Sequence, residues 1–305
     1  MAAVQLQKPT GRGNTFKGTE GIYLLPHHPN ELERVKLCHG LMMSDTGNVL
    51  IKSPLPAAGS TIRVLDSGCA DGMRTWLHDL SKLLPAYNWN LHGVDIHEDI
   101  FPSPERAFVP LDLRKHDINT EFPATWNWQN SFDIVHQRLL IWGIKTENWP
   151  AAIQRLLRLV KPGGWIELVE VVWVDNNIPI DANAQPELAK QRVLECWTCD
   201  YHGFDIQVAT KLEGLLKNAG CANVTKYEYD LGIGAKANQE EWKAPSAEMW
   251  DEIFRSFEHK MPLEGIPGVA KTPEQLHVFL DKLNVEIKEH GYMPKVNFVI
   301  GQKPA

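Results

Sequence analysis

The sequence predicts an α/β fold built on a mostly parallel sheet, and two observations predict it. From residue 61 onward, short apolar runs alternate with amphipathic stretches of about ten to fifteen residues, an alternation typical of β-α-β units. The runs end at polar residues, glycine or proline, where strands and helices give way to loops. The 305 residues suffice for one large domain with an insertion or for two small ones.

Up to residue 175 the chain predicts one leading helix, followed by strands and helices in alternation. The leading helix covers 28–43, where apolar residues recur at helical spacing. The predicted strands are 61–68, 89–96, 111–118, 132–142 and 165–174, and the predicted helices between them are 70–85 and 149–164. The strand at 111–118 is more polar than the others and is therefore expected at the rim of the sheet.

Beyond residue 175 helical patterns dominate. The predicted helices are 186–200, 205–220, 240–260 and 272–291, and the predicted strands are 224–234 and 295–302. The helical material at about 238–291 is too long for a plain connection between strands. We expect this insertion to cap the sheet.

The charge and composition disfavour several classes of protein. The formal net charge is −7 and the pI about 5.9, with no cluster of Lys and Arg, so a nucleic-acid partner is not expected. No run of about 18 apolar residues occurs, and residues 1–18 lack the apolar core of a signal peptide, so we expect neither membrane insertion nor secretion. Five cysteines, an odd number in a long chain, suit a reducing compartment. A cytoplasmic protein is expected.

The pair Cys196-x-x-Cys199, followed by His202, raises the question of a metal or redox site. A zinc site needs four nitrogen or sulfur ligands, or three and a water, and no second cysteine pair completes the set. The surrounding pattern is helical, where residues three apart share a face and small thiols pack well. We therefore expect these thiols to pack in the core, and we expect no metal.

A glycine-rich turn follows the first predicted strand. Asp66 ends the apolar run, and Gly68, Ala70 and Gly72 follow it. Such small residues let the backbone approach a ligand without Cβ contacts. The turn lacks the Lys that ends a phosphate-binding P-loop, and it has Gly-x-x-x-Gly where a dinucleotide fingerprint has Gly-x-Gly-x-x-Gly. A nucleoside triphosphate and NAD are therefore disfavoured as ligands.

Two acids narrow the choice of ligand. An acid two residues before the first glycine suits a cationic amino-acid end, and S-adenosylmethionine carries such an end with a sulfonium, a ribose diol and an adenine. Asp95 ends the next strand, 27 residues after Gly68, where a carboxylate can accept hydrogen bonds from both ribose hydroxyls. NAD shares that ribose contact, and an ordinary tight turn with solvated acids stays open as an alternative without a ligand.

Five segments then occur in an informative order: VLDSGCADG, GVDI, HDINTEFP, FDIVHQRLL and LLRLVKPGGWIELVE. Their order and spacing resemble the class I S-adenosylmethionine-dependent methyltransferases, above all the fungal branch that contains the secondary-metabolism regulator LaeA and small-molecule natural-product methyltransferases. The resemblance is good over residues 15–175. It implies a seven-stranded, doubly wound, Rossmann-like sheet of order 3-2-1-4-5-7-6, with the last strand antiparallel. It also implies an arm, 1–59, that closes over the cofactor, and an S-adenosylmethionine-binding domain, 60–305.

The resemblance implies ten cofactor-binding residues. They are Asp66, Gly68 and Gly72 at the methionine end, Gln137 and Arg138 beside the sulfonium, Asp95 at the ribose, Ile96, Asp117 and Ile118 at the adenine, and Tyr23 closing from the arm. Ala70 stands where many members of the family have glycine. Alanine suits that position if its φ is negative.

No obligatory catalytic residue is expected, because the cofactor supplies the reactive methyl group and the protein positions the acceptor and excludes water. Four histidines are candidates for a base if the acceptor is a hydroxyl, and none is singled out: His136, His202, His277 and His290. Eight tryptophans lie around or beyond the fourth strand and either line the acceptor site or anchor the core. They are Trp126, Trp128, Trp142, Trp149, Trp173, Trp197, Trp242 and Trp250.

These features predict an enzyme that methylates O, N or S of a hydrophobic, aromatic natural product of fungal secondary metabolism. Its partner is the small-molecule acceptor, and the sequence leaves a homodimer open. The alternative is a LaeA-like regulatory protein that acts through protein partners, and the lack of a basic localisation tract or a long disordered tail argues against it.

Overall fold

Seven strands form a single sheet in the part of the chain that the computed structural model describes, residues 23–25, 29–72, 75–103, 110–175, 179–258 and 261–305. The strands are β1 (Thr61–Ser67), β2 (Asn88–Asp95), β3 (Leu111–Lys115), β4 (Phe132–Arg138), β5 (Val160–Val172), β6 (Ala222–Asp230) and β7 (Lys295–Gln302). Their order is β3-β2-β1-β4-β5-β7-β6. The first five strands run parallel, and β7 is antiparallel to β5 and β6. The predicted α/β class, the strand order and the antiparallel last strand are confirmed.

Helices cover both faces of this sheet. Within the described ranges they are α1 (Pro29–Asp45), α2 (Trp76–Leu83), α3 (Trp149–Leu159), α4 (Pro186–His202), α5 (Val208–Asn218), α6 (Glu240–Arg255) and α7 (Pro273–His290). Successive residues of a strand point to opposite faces. Val64 of β1 accordingly joins an apolar cluster with Trp76 of α2, whereas the next residue, Leu65, joins a larger cluster with Trp149 of α3. The polar strand β3 lies at an edge, as predicted.

The helix predicted over 70–85 begins later than expected, at Trp76. Gly68, Ala70 and Gly72 have φ values of 77°, 52° and 64°, and this left-handed backbone cannot start a right-handed helix. The expectation of a negative φ at Ala70 is wrong. Its N–H donates to Oδ2 of Asp95 at 3.0 Å, which holds the turn in this conformation.

The insertion predicted at about 238–291 contains α6 and α7. α6 packs against α1 and α7, and α7 packs against α4. Asp45 at the end of α1 accepts hydrogen bonds from the backbone N–H of Gly232 (2.7 Å) and from the side chain of Asn238 (3.0 Å). These contacts hold the N-terminal helix beside the insertion. The division into an arm, 1–59, and a domain, 60–305, stays a prediction, and residues 1–22 of that arm lie outside the described residues.

Candidate active site

A cavity lies at the carboxyl ends of β1 to β5, where open α/β sheets bind their ligands. The loops after these strands line it, together with residues 23 and 25, α1 and α6. We call one part the polar half: residues 66–70, 94–97 and 116–119, with His39 and Arg138. We call the other part the aromatic half: residues 139–142, Val171, Trp173, Leu231, Met249, Trp250 and Ile253.

Eight of the ten predicted cofactor-binding residues line this one cavity. They are Tyr23, Asp66, Gly68, Asp95, Ile96, Asp117, Ile118 and Arg138. They come from four strand ends and the N-terminal arm, and the parallel order of the strands brings them together.

Gly72 and Gln137 do not border the cavity. A Cβ added to Gly72 would lie 3.2 Å from the side chain of Leu113, so this residue faces β3. Gln137 is 2% exposed and accepts a hydrogen bond from the Ser67 hydroxyl at 3.4 Å. Because side chains alternate along a strand, Arg138 and Gln137 point to opposite faces of β4. For Gly72 and Gln137 the structure does not support the predicted contact with the cofactor.

The turn after β1 is tight because its backbone is tied to β2. The N–H groups of Gly68 and Cys69 both donate to the carbonyl of Val94, at 2.8 and 3.0 Å. A Cβ on Gly68 would lie 2.8 Å from Cδ2 of Leu140, so a side chain there would have to displace the side chain of Leu140. Gly93 is also required, since a Cβ there would lie 2.6 Å from Sγ of Cys69. The result is bare backbone at the cavity wall, which a ligand can approach closely.

Asp95 ends β2 with its carboxylate held by the backbone. Oδ2 accepts the N–H of Ala70 at 3.0 Å, and Oδ1 accepts the N–H of His97 at 3.1 Å. Burial in the cavity wall nevertheless raises the pKa of Asp95 to about 6. The carboxylate is therefore fixed in position and has lone pairs left for hydroxyl donors.

Asp117 follows β3 and is arranged by a local turn. Its Oδ1 accepts the backbone N–H of Asn119 at 2.9 Å and the side-chain amide of Asn119 at 3.0 Å. The same amide donates to the carbonyl of Gly143 at 3.1 Å, which links the loops after β3 and β4. Ile118 packs beside it as part of the larger apolar cluster.

Asp66, at the end of β1, is 4% exposed and is paired with a histidine. His136 stands directly opposite it on β4, with Nδ1 2.8 Å from Oδ1 of Asp66. The imidazole of His136 stacks on the indole of Trp76, with ring centroids 3.9 Å apart and an interplanar angle of 5°. The ring cannot turn freely between these contacts, so the carboxylate of Asp66 is held in one orientation.

Arg138, at the end of β4, is linked to helices α1 and α2 by a chain of hydrogen bonds. Its Nη1 lies 3.0 Å from Nδ1 of His39, and Nε2 of His39 lies 3.0 Å from Oδ2 of Asp79. Since the guanidinium can only donate, Nδ1 of His39 is the acceptor and its proton resides on Nε2. Burial lowers the pKa of His39, which favours this neutral form.

The aromatic half is walled by three tryptophans that are almost completely buried. The indoles of Trp142 and Trp173 meet edge to face with centroids 5.4 Å apart, and Trp173 stacks on Trp250 at 5.2 Å. Trp250 is fixed by a hydrogen bond of 3.0 Å from Nε1 to the side-chain oxygen of Gln191. A rigid, apolar and aromatic surface results, suited to a ring-bearing ligand.

The loop that carries Trp142 has an unusual backbone conformation and is held by a buried acid. Leu139 has a φ of 57°, which is unusual for a residue with a branched side chain. Oε1 of Glu170 accepts the backbone N–H of Leu140 at 2.7 Å. Glu170 is buried, and burial raises its pKa to about 8. The sequence reasoning missed Glu170, although an acid inside an apolar strand is a signal that can be read from the sequence.

On the α1 side the cavity is lined by one ion pair among apolar residues. Nε of Arg34 donates to Oε2 of Glu31 at 2.8 Å, and both side chains are largely buried. Leu32 and Val35 flank this pair in the lining. Tyr23 lies in the same wall, and an added Cβ on Gly143 would approach its ring at 3.3 Å. The arm therefore contributes apolar surface together with a neutralised pair of charges.

The eight tryptophans were expected either to line the acceptor site or to anchor the core, and the structure shows both roles. Trp142, Trp173 and Trp250 line the cavity. The others pack elsewhere: Trp149 in the core on α3, Trp126 and Trp128 against Arg114, Trp197 on Tyr201, and Trp242 near Gly40. Of the four candidate histidines, His136 pairs with Asp66, and His202, His277 and His290 do not line the cavity.

The cysteine pair shows no ligand arrangement in the described residues. Cys199 is fully buried and Cys196 partly so, and both are free thiols on α4. Over the described ranges, no group of three His, Cys, Asp or Glu side chains is placed to hold a metal ion. No helix within those ranges is both long and apolar enough to span a membrane.

Comparison with known proteins relates this arrangement to one family. Residues 44–226 match the family described as "Methyltransferase domain". The chain is 30% identical over 292 residues to the N-methyltransferase sirN of Leptosphaeria maculans, covering 94% of this chain and 96% of that protein. It is 27% identical over 290 residues to the N-methyltransferase gliN of Aspergillus fumigatus, covering 94% and 98%.

A further relative has a regulatory name. The secondary metabolism regulator laeA of Aspergillus niger is 29% identical over 168 residues, which is 52% of this chain and 39% of that protein. The similarity to sirN and gliN thus extends over nearly the whole chain, whereas the similarity to laeA covers about half of it.

Proposed function

We propose that this chain, which belongs to the methyltransferase-domain family and is an S-adenosylmethionine-dependent methyltransferase, methylates a nitrogen atom of an apolar, aromatic natural product. The observation that carries the proposal is the division of one cavity into a polar half and an aromatic half. Nitrogen is favoured over oxygen and sulfur because the relatives aligned along nearly their whole length are named N-methyltransferases.

The residues of the polar half fit the parts of S-adenosylmethionine. Asp95 offers a fixed carboxylate to the ribose hydroxyls, and the loop with Asp117 and Ile118 offers an acceptor and an apolar surface to the adenine. The turn at Gly68 is bare backbone, and Asp66 supplies a negative charge for the ammonium. These groups follow β3, β2 and β1 in that order across the sheet.

This order favours the aromatic half as the acceptor site. If adenine, ribose and methionine follow the sheet from β3 to β1, the transferable methyl group faces the next strand ends, β4 and β5. The loops there carry Trp142 and Trp173, and Trp250 of α6 completes the wall. Aromatic, apolar walls suit an aromatic acceptor and exclude water from the reacting atoms.

The titratable groups on the α1 side of the cavity favour an acceptor that needs no strong base. Glu31 is paired with Arg34, and both ring nitrogens of His39 are engaged in hydrogen bonds. Burial raises the pKa of Cys38, so its thiol is not a base at neutral pH. A bound cofactor supplies the electrophilic methyl group, and these residues position a nitrogen whose lone pair is already available.

Mass spectrometry with methyl-labelled S-adenosylmethionine tests the proposal. Matched apolar acceptors that differ in one atom, a ring N–H against a ring hydroxyl, are incubated with the chain. A mass gain of one labelled methyl on nitrogen is expected. Methylation on oxygen alone would overturn the choice of atom, and the absence of any methylation across a broad metabolite extract would favour the LaeA-like regulatory alternative.

A further inference from the structure

We propose that Arg34 of α1 recognises the acceptor molecule by donating a hydrogen bond to a neutral carbonyl oxygen on it. The acceptor is then an apolar, aromatic compound that also carries a carbonyl group. The inference rests on the proposed function, because it places the acceptor in the same cavity. It adds a polar contact beside the aromatic half, whose own lining side chains are all apolar.

Arg34 has donors that the protein does not use. Its Nε donates to Oε2 of Glu31 at 2.8 Å, and its Nη2 donates to Oε1 of the same carboxylate. Nη1 makes no hydrogen bond or ion pair with the residues that the structure describes. Arg34 is 9% exposed and lines the cavity. Because a guanidinium can only donate, a ligand in the cavity can supply the acceptor that Nη1 lacks.

Arg34 lies between the N-terminal arm and the insertion, close to the aromatic half. Glu252 of α6 interacts electrostatically with Arg34, and Trp250 on the same helix belongs to the aromatic half. Tyr23 interacts electrostatically both with Arg34 and with Glu170, the acid that holds the loop after β4. A ligand that packs on the aromatic half is therefore within the surroundings of this guanidinium.

The charges around Arg34 favour a neutral oxygen over an anionic one. Glu31 already balances the guanidinium, and Glu252 adds a second carboxylate. An anionic ligand would bring a third negative charge to a partly desolvated site with one cation.

The same pair favours a carbonyl over a hydroxyl. A hydroxyl brings a proton that needs an acceptor of its own, and both oxygens of Glu31 are already engaged with Arg34. A carbonyl oxygen only accepts, so it satisfies Nη1 without leaving a new donor in the apolar wall.

The alternative is that Arg34 only holds α1 against α6, and matched probes separate the two roles. The pairs are 9-fluorenone with fluorene and 1-indanone with indane, and within each pair a carbonyl replaces a methylene. Their affinities for the full chain saturated with S-adenosylhomocysteine are measured by equilibrium dialysis. In at least one pair the wild type is expected to prefer the ketone by about 10- to 100-fold, the range for hydrogen bonds to charged groups. Fluorene-9-carboxylate should bind no better than fluorene.

The double variant Glu31→Leu with Arg34→Met removes the whole ion pair and leaves no buried charge unpaired. It is expected to abolish the preference for the ketone and to keep the affinity for the hydrocarbon. Disturbed packing of α1 would weaken both members of a pair alike, so their ratio reports the hydrogen bond. Glu33→Leu with Lys36→Met is the matched control, because this pair has the same spacing on α1 and lies outside the cavity. It should leave the ratio unchanged.

Glu31→Gln tests the choice of a neutral oxygen. It keeps an acceptor for Arg34 and removes the negative charge, so the preference for the ketone should survive and fluorene-9-carboxylate should bind about tenfold more tightly. An unchanged affinity for the carboxylate would contradict the charge argument.

Two results would overturn the role of Arg34: no preference for the ketone in either wild-type pair, or a preference that survives the double variant. Transfer of a labelled methyl group to nitrogen would still support the proposed function in both cases. A chain that does not bind S-adenosylhomocysteine would overturn the cofactor site and this proposal together.

Discussion

The polar half of the cavity is built from short sequence segments at strand ends, whereas the aromatic half collects residues from distant parts of the chain. In the polar half, the carboxylates of Asp95 and Asp117 each accept a backbone N–H from the residue two positions further along the chain. In the aromatic half, Trp173 and Trp250 stack only because α6 folds back over the sheet. Local turns contribute more to the first half, and tertiary packing contributes more to the second.

This difference separates two kinds of binding. Carboxylates held at the ends of neighbouring strands bind only one arrangement of hydroxyl, amino and ammonium donors. This suits a cofactor, whose structure is the same in every reaction. An apolar wall makes few such demands and selects by shape. Substitutions in the two halves should therefore change different binding constants, and the following experiments test that separation in order of expected effect.

The largest effect is expected from Gly68→Val. Its φ of 77° is unfavourable for a β-branched residue, and the new Cβ would meet Leu140 at 2.8 Å. Affinity for S-adenosylmethionine should fall by more than about a hundredfold, because both the backbone conformation and the close approach are lost. Gly163→Val is the matched control, since Gly163 has the same φ but nothing within 4 Å of an added Cβ. Equal losses in the two variants would show that strain alone, and not the cavity, is responsible.

Asp95→Ala should weaken the cofactor by roughly 1–3 kcal/mol through the loss of hydrogen bonds to a charged group. Calorimetry with S-adenosylmethionine checks this value. Asp112→Ala removes a carboxylate from β3 that pairs with Arg114 outside the cavity, and it should leave the affinity unchanged. Wild-type affinity in the Asp95 variant would show that another group holds the ribose.

Trp250→Leu tests the aromatic half of the cavity. It should raise the KM for the acceptor by about tenfold, because part of the aromatic wall is lost, and leave the affinity for S-adenosylmethionine unchanged. Trp149→Leu also removes a buried indole, but from the core and outside the cavity. It should lower the unfolding temperature without changing either constant. A weaker cofactor in the Trp250 variant would contradict the separation of the halves.

A smaller effect is expected from pH. Ribose hydroxyls donate to an ionised Asp95, whose pKa in the free protein is about 6. Protonation below that pH opposes binding, so affinity for S-adenosylmethionine should fall as the pH drops, by about fourfold between pH 7 and 5.5. Asp95→Asn should remove this dependence. A pH profile unchanged by that substitution would assign the titration to another group.

The smallest effect is expected from the cysteines of α4. Cys196→Ser combined with Cys199→Ala should leave the affinity for cofactor and the turnover unchanged, and dialysis against a chelator should do the same. The two thiols lie outside the cavity, so their loss affects packing only. Lost turnover after chelation would show that a metal contributes.

The sequence predicted the fold and the polar half better than the aromatic half, for physical reasons. Strand periodicity and the turn after Asp66 are local signals, and parallel strand ends converge automatically. Ala70 departed from the prediction because a hydrogen bond to Asp95, 25 residues away, stabilises its left-handed backbone. His39 was missed because nothing in the pattern of α1 distinguishes it, and its role depends on Arg138 and Asp79 from other elements.

A crystal structure of the chain with S-adenosylhomocysteine tests the central claim most directly. We expect the ribose on the carboxylate of Asp95, the adenine beside Asp117 and Ile118, and the sulfur directed toward Trp142 and Trp173. A nucleoside bound elsewhere, or an Asp95 that keeps only its bonds to the backbone of Ala70 and His97, would contradict the account.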